Sequence, residues 1–353
     1  MVSQFSFYCM KLPILILCSL LFINCSDEKD DYVDVPLEFE IPSNFPILSY
    51  NTNLNPLTQK GFELGKKLFY DGRLSSDGVI SCGFCHIQEN AFTHHGHTVS
   101  HGVNNAAGTR NAQPIQNVAF QSTFMWDGAS DHLDLQPIIP LTSPIEMDGN
   151  ISEILAMLKS DKEYKNLFAN AFSDGQITSE HMLQALSQFM VMMVSSNSKF
   201  DKFRRNEPGG ILTSDESAGF ALFNLKCASC HATDLMTDNS FRNNGLAINP
   251  AVNDVGRFRV TELPEDYYKF KVPSLRNVEK TAPYMHDGRF GSLESVLNHY
   301  NSGIADSPTL DPILKKNGNL GIPLSTAEKQ QLIAFLKTLT DHQFLTDKRF
   351  SEF

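Results

Sequence analysis

Two short motifs constrain this chain more than any other feature: Cys82-Gly83-Phe84-Cys85-His86 and Cys227-Ala228-Ser229-Cys230-His231. In each motif a histidine directly follows a Cys-x-x-Cys pair. This pattern is the attachment signal of a c-type haem, in which two thioethers hold the porphyrin and the adjacent imidazole reaches the iron. The motifs therefore predict two covalently bound haems, with His86 and His231 as iron ligands.

Two other uses of paired cysteines remain open at this point. A Cys-x-x-Cys pair can be a thioredoxin-like redox site, and two pairs together can give zinc four sulfur ligands. Neither use requires a histidine at the same place twice, and no alternating strand and helix pattern surrounds either pair. The other cysteines, Cys9, Cys18 and Cys25, all lie in the first 25 residues, so none is left for a disulfide in the body of the chain.

The surroundings of the two motifs also resemble each other. Gly65-Lys66-Lys67-Leu68-Phe69 precedes the first motif and Gly219-Phe220-Ala221-Leu222-Phe223 precedes the second, each on a predicted capped amphipathic helix. Downstream, Phe124-Met125-Trp126-Asp127-Gly128 is echoed by Tyr284-Met285-His286-Asp287-Gly288. These echoes predict an internal duplication, in which two copies of one fold each wrap one haem.

Length and composition agree with this organisation. The 353 residues allow about two domains, and 41% hydrophobic residues suffice for proper cores. The net charge of −11 repels phosphate backbones, which argues against nucleic-acid binding. We predict an all-α protein with long loops, comprising a signal peptide at 1–24, a polar tether at 25–55, an N-terminal haem domain at 56–205 and a C-terminal haem domain at 206–353.

Apolar periodicity places several helices in these domains. Residues 151–172 and 179–203 carry apolar side chains at three- and four-residue intervals, and a last helix begins after Ser325 and continues to Leu339. Thr213 with Glu216 and Ser325 with Glu328 have the spacing of capping boxes. No strand pair with hairpin punctuation stands out. The methionine-rich run at 190–193 is interpreted as helix packing.

The first 25 residues predict export. Met10 and Lys11 are followed by an apolar stretch too short to span a bilayer, and then by Cys25. Residues 1–9 carry no positive charge, so we expect translation to begin at Met10. The stretch ending at Cys25 resembles a loose lipoprotein signal, with plain secretion as the alternative. We therefore predict a periplasmic protein held at a membrane by a lipid on Cys25.

From about Leu57 onward the chain resembles the bacterial dihaem cytochrome c peroxidases and their MauG-like relatives. Besides the two haem motifs, the resemblance rests on Arg110-Asn111, Trp126-Asp127-Gly128, Pro144-Ile145-Glu146-Met147, Val272-Pro273-Ser274-Leu275-Arg276-Asn277-Val278 and Pro283-Tyr284-Met285-His286-Asp287-Gly288-Arg289-Phe290. The resemblance implies that hydrogen peroxide is reduced to water at the N-terminal haem, with electrons entering through the C-terminal haem. A small cytochrome c or a cupredoxin is the implied donor, and a homodimer is a further expectation.

Three residues match catalytic positions of this family. Cleaving peroxide requires a group that moves a proton between its two oxygens, and Glu146, in an apolar stretch, matches the family's catalytic glutamate. Gln136 matches a residue whose amide can orient peroxide, and Trp126 matches the tryptophan between the haems. Without the resemblance, Glu146 would be an ordinary loop carboxylate and Trp126 a core aromatic.

The remaining iron ligands are less directly indicated. A loop histidine caps the peroxidatic haem in many relatives, and His101 is the best match among His94, His95, His97 and His101; otherwise that iron is open. Many relatives carry a methionine on the second haem at the position of Tyr300, where a tyrosine resembles the MauG branch and would lower the potential.

Other side chains near the second haem leave alternatives open. Met285, Met236 and His299 are the other candidate ligands. His286 is expected either to support the second haem or to be a core histidine.

The resemblance also implies a calcium ion between the domains. Asn111 would contribute its side-chain oxygen, and Thr281 and Pro283 their backbone carbonyls. Two alternatives to the peroxidase remain: a MauG-like oxidase of a protein or small molecule, which Tyr300 favours, and a dihaem electron carrier without catalysis, which Glu146 and Gln136 disfavour.

Overall fold

The computed structural model describes residues 1, 4, 35–94 and 96–352. The predicted start at Met10, the predicted lipid attachment at Cys25 and the loop residue His95 lie outside the described residues. Tyr32–Phe353 forms one compact unit. Among the helices in the described ranges, none has the length and apolar character that crossing a bilayer requires.

The regular secondary structure in the described part of this unit is mostly helical, with long loops between the helices, as predicted. The α-helices are α1 Gln59–Tyr70, α2 Cys82–Cys85, α3 Ile138–Thr142, α4 Ile151–Ser160, α5 Lys162–Ala171, α6 Ser179–Val191, α7 Lys199–Arg204, α8 Ser214–Lys226, α9 Phe258–Thr261, α10 Leu293–Ser302 and α11 Thr326–Lys337. Short 3₁₀ turns occupy Gly72–Leu74, Gln88–Asn90, Val103–Asn105, Val118–Phe120, Pro264–Asp266, Val278–Lys280, Pro312–Leu314 and Phe344–Thr346. The strands are β1 Phe241–Arg242, β2 Phe270–Lys271, β3 Lys315–Lys316 and β4 Asn319–Leu320.

The helix preceding each haem motif crosses a second helix at very short range. A Cβ on Gly65 of α1 would lie 1.9 Å from the Ala185 carbonyl oxygen of α6, and a Cβ on Gly219 of α8 would lie 2.0 Å from the Gln331 carbonyl oxygen of α11. Only glycine allows such an approach. The predicted capping boxes at Thr213 and Ser325 are both formed.

Two helices predicted as continuous are each interrupted. The stretch 151–172 divides at Asp161, because its carboxylate accepts hydrogen bonds from the backbone of Glu163 at 2.8 Å and Tyr164 at 3.3 Å and so starts α5. The stretch 179–203 divides between α6 and α7, where Ser198 and Asp201 form a capping box. In both cases a side chain that hydrogen-bonds to the backbone starts a new helix, although the apolar residues continue at helical spacing.

The described residues form two large hydrophobic clusters. The first contains most of the buried apolar side chains between Phe45 and Met193, including Met190 and Met193, which pack as predicted. The second is built around Phe200, Phe223 and Phe335. The division is not purely sequential, because Phe344, Leu345 and Phe350 belong to the first cluster. The predicted boundary at 205/206 stays a prediction, but the end of the chain does not pack with the half to which it was assigned.

Residues 35–55, assigned to the polar tether, lie against the helical body. Phe45 is buried, and its ring packs edge-on against Phe120 at 5.3 Å. The backbone of Leu37 donates to the Leu57 carbonyl at 2.8 Å, and the hydroxyl of Tyr50 donates to Asp134 at 2.7 Å. The predicted tether is therefore wrong for these residues, because their apolar side chains find a place in the core.

The sheet content is small but not absent. Strands β1 and β2 pair antiparallel, and so do β3 and β4. The turn between β3 and β4 is Asn317-Gly318, with φ of 51° and 82°, the left-handed values that a two-residue hairpin requires. This hairpin contradicts the expectation that none would be found, and the Asn-Gly pair was its signal.

Candidate haem sites

The first motif lines a cavity of about 310 Å³. Cys82 and Cys85 lie at the two ends of α2, and the hydroxyl of Ser81 caps this helix by accepting from the Phe84 amide at 3.2 Å. Between the cysteines, a Cβ on Gly83 would lie 2.3 Å from the ring of Tyr70, so α1 presses directly on the motif.

His86 is oriented toward the same cavity by its own loop. Its Nδ1–H donates to the backbone carbonyl of Phe92 at 2.6 Å. This hydrogen bond fixes the tautomer and leaves Nε2 as the nitrogen that could bind a metal. Burial lowers the pKa of His86 to about 4, so the imidazole is neutral, as a metal ligand must be.

The second motif repeats this arrangement in a separate cavity of about 220 Å³. Cys227, Cys230 and His231 all line it, directly after α8. Nδ1 of His231 donates to the Met236 carbonyl at 3.1 Å, again leaving Nε2 for a metal.

These observations fit haem and argue against the other uses of paired cysteines. Burial raises the pKa of Cys82 to about 12 and that of Cys85 to about 11, the opposite of the lowered pKa of a reactive redox thiol. The two cysteine pairs lie in different cavities, and in the described ranges no three His, Cys, Asp or Glu side chains are grouped to hold a metal ion. A four-sulfur zinc site is therefore not formed.

Glu146 and Gln136 line the first cavity together with His86. Burial raises the pKa of the Glu146 carboxyl above its usual range. The Glu146 backbone is held by the Val103 amide, which donates to its carbonyl at 2.8 Å, and by Gly102, which packs directly on it. Nε2 of Gln136 donates to Sδ of Met125 at 3.5 Å.

One of the described loop histidines, His101, reaches the same cavity. His101 lines the cavity, and its buried Nδ1 has no hydrogen-bond partner. The rings of His94, His97 and His101 follow one another edge to face, with centroids 4.9 and 4.8 Å apart. Of these three, only His101 faces the cavity.

Trp126 lies between the two cavities. It is buried, it lines both, and its indole N–H donates to the Asn111 carbonyl at 2.8 Å. We call the residues that line both cavities the shared wall: Asn111, Pro114, Trp126, Lys271, Val272, Pro273 and Ser274.

Tyr300, Met285 and His286 line the second cavity, whereas Met236 and His299 do not. Burial raises the pKa of Tyr300 to about 12. His299 is engaged elsewhere, since its Nε2 donates to the Asn244 carbonyl at 3.1 Å. The ring of His286 stacks on Phe270 at 3.8 Å.

Asn111, Thr281 and Pro283, the residues implied for calcium, also line the second cavity. Nδ2 of Asn111 donates to the Thr98 carbonyl at 3.1 Å, which leaves its side-chain oxygen as an available oxygen donor.

Sequence reasoning missed Lys271 in the shared wall. Its ammonium group donates to the Gln121 side chain and to the Thr123 carbonyl, both at 2.8 Å, and burial lowers its pKa to about 7. It also missed the role of Arg110, which binds the buried Asp127 at 2.7 Å and Asp254 at 2.6 Å. A lysine next to a recognised motif gives no signal of burial in a single sequence.

The fold and the paired cavities define a class: helical proteins with two Cys-x-x-Cys-His sites that share one wall. The family description "Di-haem cytochrome c peroxidase" matches residues 59–209. The methylamine utilization protein MauG of Methylorubrum extorquens is 37% identical over 316 residues, which cover 88% of this chain and 86% of that protein. The cytochrome c551 peroxidase of Nitrosomonas europaea is 33% identical, with 80% of each chain covered.

Among solved structures, a MauG-like protein associated with microbial copper homeostasis superimposes with a TM-score of 0.80 and 35% identity, covering 90% of this chain and 99% of that one. The chain belongs to the family of dihaem cytochrome c peroxidases and MauG proteins. Membership confirms the resemblance noted in the sequence and identifies an oxidoreductase family that carries two haems.

Proposed function

We propose that this protein is a dihaem peroxidase that reduces hydrogen peroxide to water at the cavity of His86 and receives electrons through the cavity of His231. One observation carries the proposal: Glu146 and Gln136 both line the first cavity, whereas the second cavity contains amide side chains such as Asn244 but no counterpart of Glu146. The one carboxylate residue lining the second cavity is Asp311, which is paired with Arg242 at 2.8 Å.

The residues of the first cavity suit a covalent haem held by Cys82, Cys85 and His86. When bound, the haem supplies an iron that accepts peroxide and exchanges electrons. Peroxide cleavage also needs a proton carrier, and the raised pKa of Glu146 suits a group that must both accept and return a proton near neutral pH. Gln136 donates its amide hydrogen to peroxide and orients it.

Trp126 serves as the bridge between the two sites, because its indole ring belongs to the shared wall. Tyr300 would be the second protein ligand of the iron in the His231 haem. It lines the cavity, in contrast to Met236 and His299, and Met285 is the alternative. His101, which lines the first cavity, would cap the first haem in the resting protein.

Three further features belong to the same proposal. The two haem units are copies of one duplicated unit. In each, the helix before the haem motif crosses a second helix closely at a glycine, Gly65 or Gly219. A calcium ion is held by Asn111, Thr281 and Pro283. The protein is exported to the periplasm, anchored through Cys25, and takes electrons from a small cytochrome c or cupredoxin, with a homodimer as its assembly.

The test is steady-state peroxide reduction by the protein with both haems attached, supplied with a range of small cytochromes and copper proteins. Glu146→Gln keeps shape and hydrogen bonding but cannot carry the proton, so turnover should fall by about 10²–10⁴ with normal haem content. Near-normal turnover of Glu146→Gln at saturating donor would contradict the assignment and would make the histidine loop the proton carrier.

A second candidate function, oxidation of a protein or small molecule in the MauG manner, is favoured by Tyr300 in the second cavity and by the 37% identity to a MauG protein. Tyr300→Met separates the two functions. A peroxidase should keep peroxide turnover with a cytochrome donor, whereas a MauG-like oxidase should lose substrate oxidation. A non-catalytic electron carrier would show no peroxide turnover, either as the unmodified protein or as Tyr300→Met.

A further inference from the structure

We propose that Met125 is a peroxide-responsive modification site in the first cavity and that its sulfoxide captures the amide of Gln136. This inference rests on the proposed peroxide chemistry of that cavity. It adds a step that limits the enzyme's own activity. When the electron donor is used up, the remaining peroxide oxidises the Met125 thioether, which lies next to Gln136, the residue that orients peroxide.

The position of Met125 carries the proposal. Its side chain lines the cavity that also holds Gln136 and Glu146, and its Sδ accepts a hydrogen bond from Nε2 of Gln136 at 3.5 Å. A bridge between Phe124 and Ser130 and a left-handed φ of 69° at Met125 fix the backbone from which the thioether projects. Peroxide oriented by the Gln136 amide is therefore a neighbour of Sδ.

The chemical step is a two-electron oxygen transfer. The sulfur lone pair attacks the nearer peroxide oxygen, an S–O bond forms and the O–O bond breaks. The proton of the transferred oxygen moves to the departing oxygen, so one thioether and one hydrogen peroxide give one sulfoxide and one water. Peroxide is the oxidant and the sulfur of Met125 is oxidised.

The consequence follows from hydrogen-bond strength. A thioether sulfur is a weak acceptor, so the Gln136 amide can exchange it for peroxide. A sulfoxide presents a polar S=O oxygen in the same place and holds the amide. Gln136 then no longer orients peroxide, and turnover falls until the sulfoxide is reduced.

The second cavity contains a matched internal control. Met285 has the same left-handed φ, 73°, follows an equivalent bridge between Tyr284 and Phe290, and accepts from Nδ2 of Asn244 at 3.4 Å. It also lines its cavity, where the Asn244 amide takes the place of Gln136, but that cavity has no counterpart of Glu146. Met157 in α4 is a control for general oxidation by peroxide in solution, because it is partly exposed and lines neither cavity.

The first experiment treats the dihaem protein with a few equivalents of hydrogen peroxide in the absence of donor and follows each methionine peptide by mass spectrometry. We expect a gain of about 16 Da, one oxygen atom, on Met125 before Met285 and Met157. Oxidation of Met285 or Met157 at the same rate as Met125 would overturn the proposal, since it would show only general exposure to peroxide.

The second experiment links oxidation of Met125 to the loss of turnover. Preincubation with peroxide should lower the later turnover of the unmodified chain and of Met157→Leu several-fold, whereas Met125→Leu should keep its own starting turnover. Treatment with methionine sulfoxide reductases should restore the loss. Equal loss in Met125→Leu, or a loss that reduction does not reverse, would overturn the inference; absence of any turnover with donor before treatment would instead refute the proposed peroxidase.

Discussion

Gly102 determines where Glu146 lies, because no side chain fits between them. In Gly102→Ala, the new Cβ would lie 2.3 Å from the Glu146 carbonyl oxygen and 2.4 Å from that of Ile145. Non-bonded atoms of this kind need roughly 3.5 Å, so the Glu146 backbone must move by about 1 Å. The φ of Gly102 is −100°, which alanine also adopts, so the effect comes from this contact rather than from backbone strain.

The displacement should cost both stability and rate. It stretches the 2.8 Å hydrogen bond from the Val103 amide to the Glu146 carbonyl. A weakened hydrogen bond together with overpacking should lower the free energy of unfolding by about 1–4 kcal/mol. A displacement of about 1 Å at a catalytic group can cost about 10² in rate, so we expect kcat/KM for peroxide to fall by that factor.

Steady-state peroxide reduction and thermal unfolding of the dihaem protein test this reasoning. Gly291→Ala is the matched control, because a Cβ there meets nothing within 4 Å, and it should leave both quantities unchanged. Since Gly102→Ala acts through Glu146, adding it to Glu146→Gln should cost little further rate. If Gly102→Ala were destabilised but turned over normally, Glu146 would not be the proton carrier.

Three other predictions concern the haem cavities. Cys227→Ser with Cys230→Ser should leave one c-type haem per chain in alkaline pyridine spectra, where the unmodified protein should show two; two remaining haems would contradict the assignment. Tyr300→Phe should change the spectrum and potential of the second haem only, and an unchanged spectrum would leave Met285 as the ligand. Because burial raises the pKa of Glu146 above 4.5, its neutral form stabilises the fold at low pH, and this contribution is lost as pH rises through the raised pKa. The free energy of unfolding of the unmodified protein, measured against that of Glu146→Gln, should therefore decline by up to about 1.4 kcal/mol per pH unit as the pH rises from 4.5 to the raised pKa. A difference that does not change with pH would show that Glu146 is not buried in the holoprotein.

The sequence predicted the parts of the sites that local patterns encode. The haem motifs, the capping boxes at Thr213 and Ser325 and the parallel glycines Gly65 and Gly219 all have fixed spacings, and the structure contains them where they were expected. Glu146 and Gln136 were found through family resemblance, and the structure brings both to the cavity of His86.

What the sequence did not reveal depends on contacts between distant segments. Lys271 is buried because Gln121 and Thr123, about 150 positions earlier, accept its hydrogen bonds. Residues 35–55 looked like a tether because they are rich in proline and polar groups, but a few apolar residues such as Phe45 suffice to dock them. The helix interruption at Asp161 was missed because the apolar spacing continues past it, and that spacing does not show that the Asp161 carboxylate caps a new helix.

The placement of the last residues has a consequence for how the protein matures. Phe350 accepts a hydrogen bond from the Tyr70 hydroxyl at 2.7 Å across 280 positions of sequence, and the ring of Tyr70 presses on Gly83 inside the first haem motif. Phe344 packs on Phe92, whose carbonyl orients His86. During synthesis the first motif emerges long before these partners do, so its pocket cannot be completed until the end of the chain has been made. The first haem site therefore contains residues made early in synthesis but is completed only by residues made last.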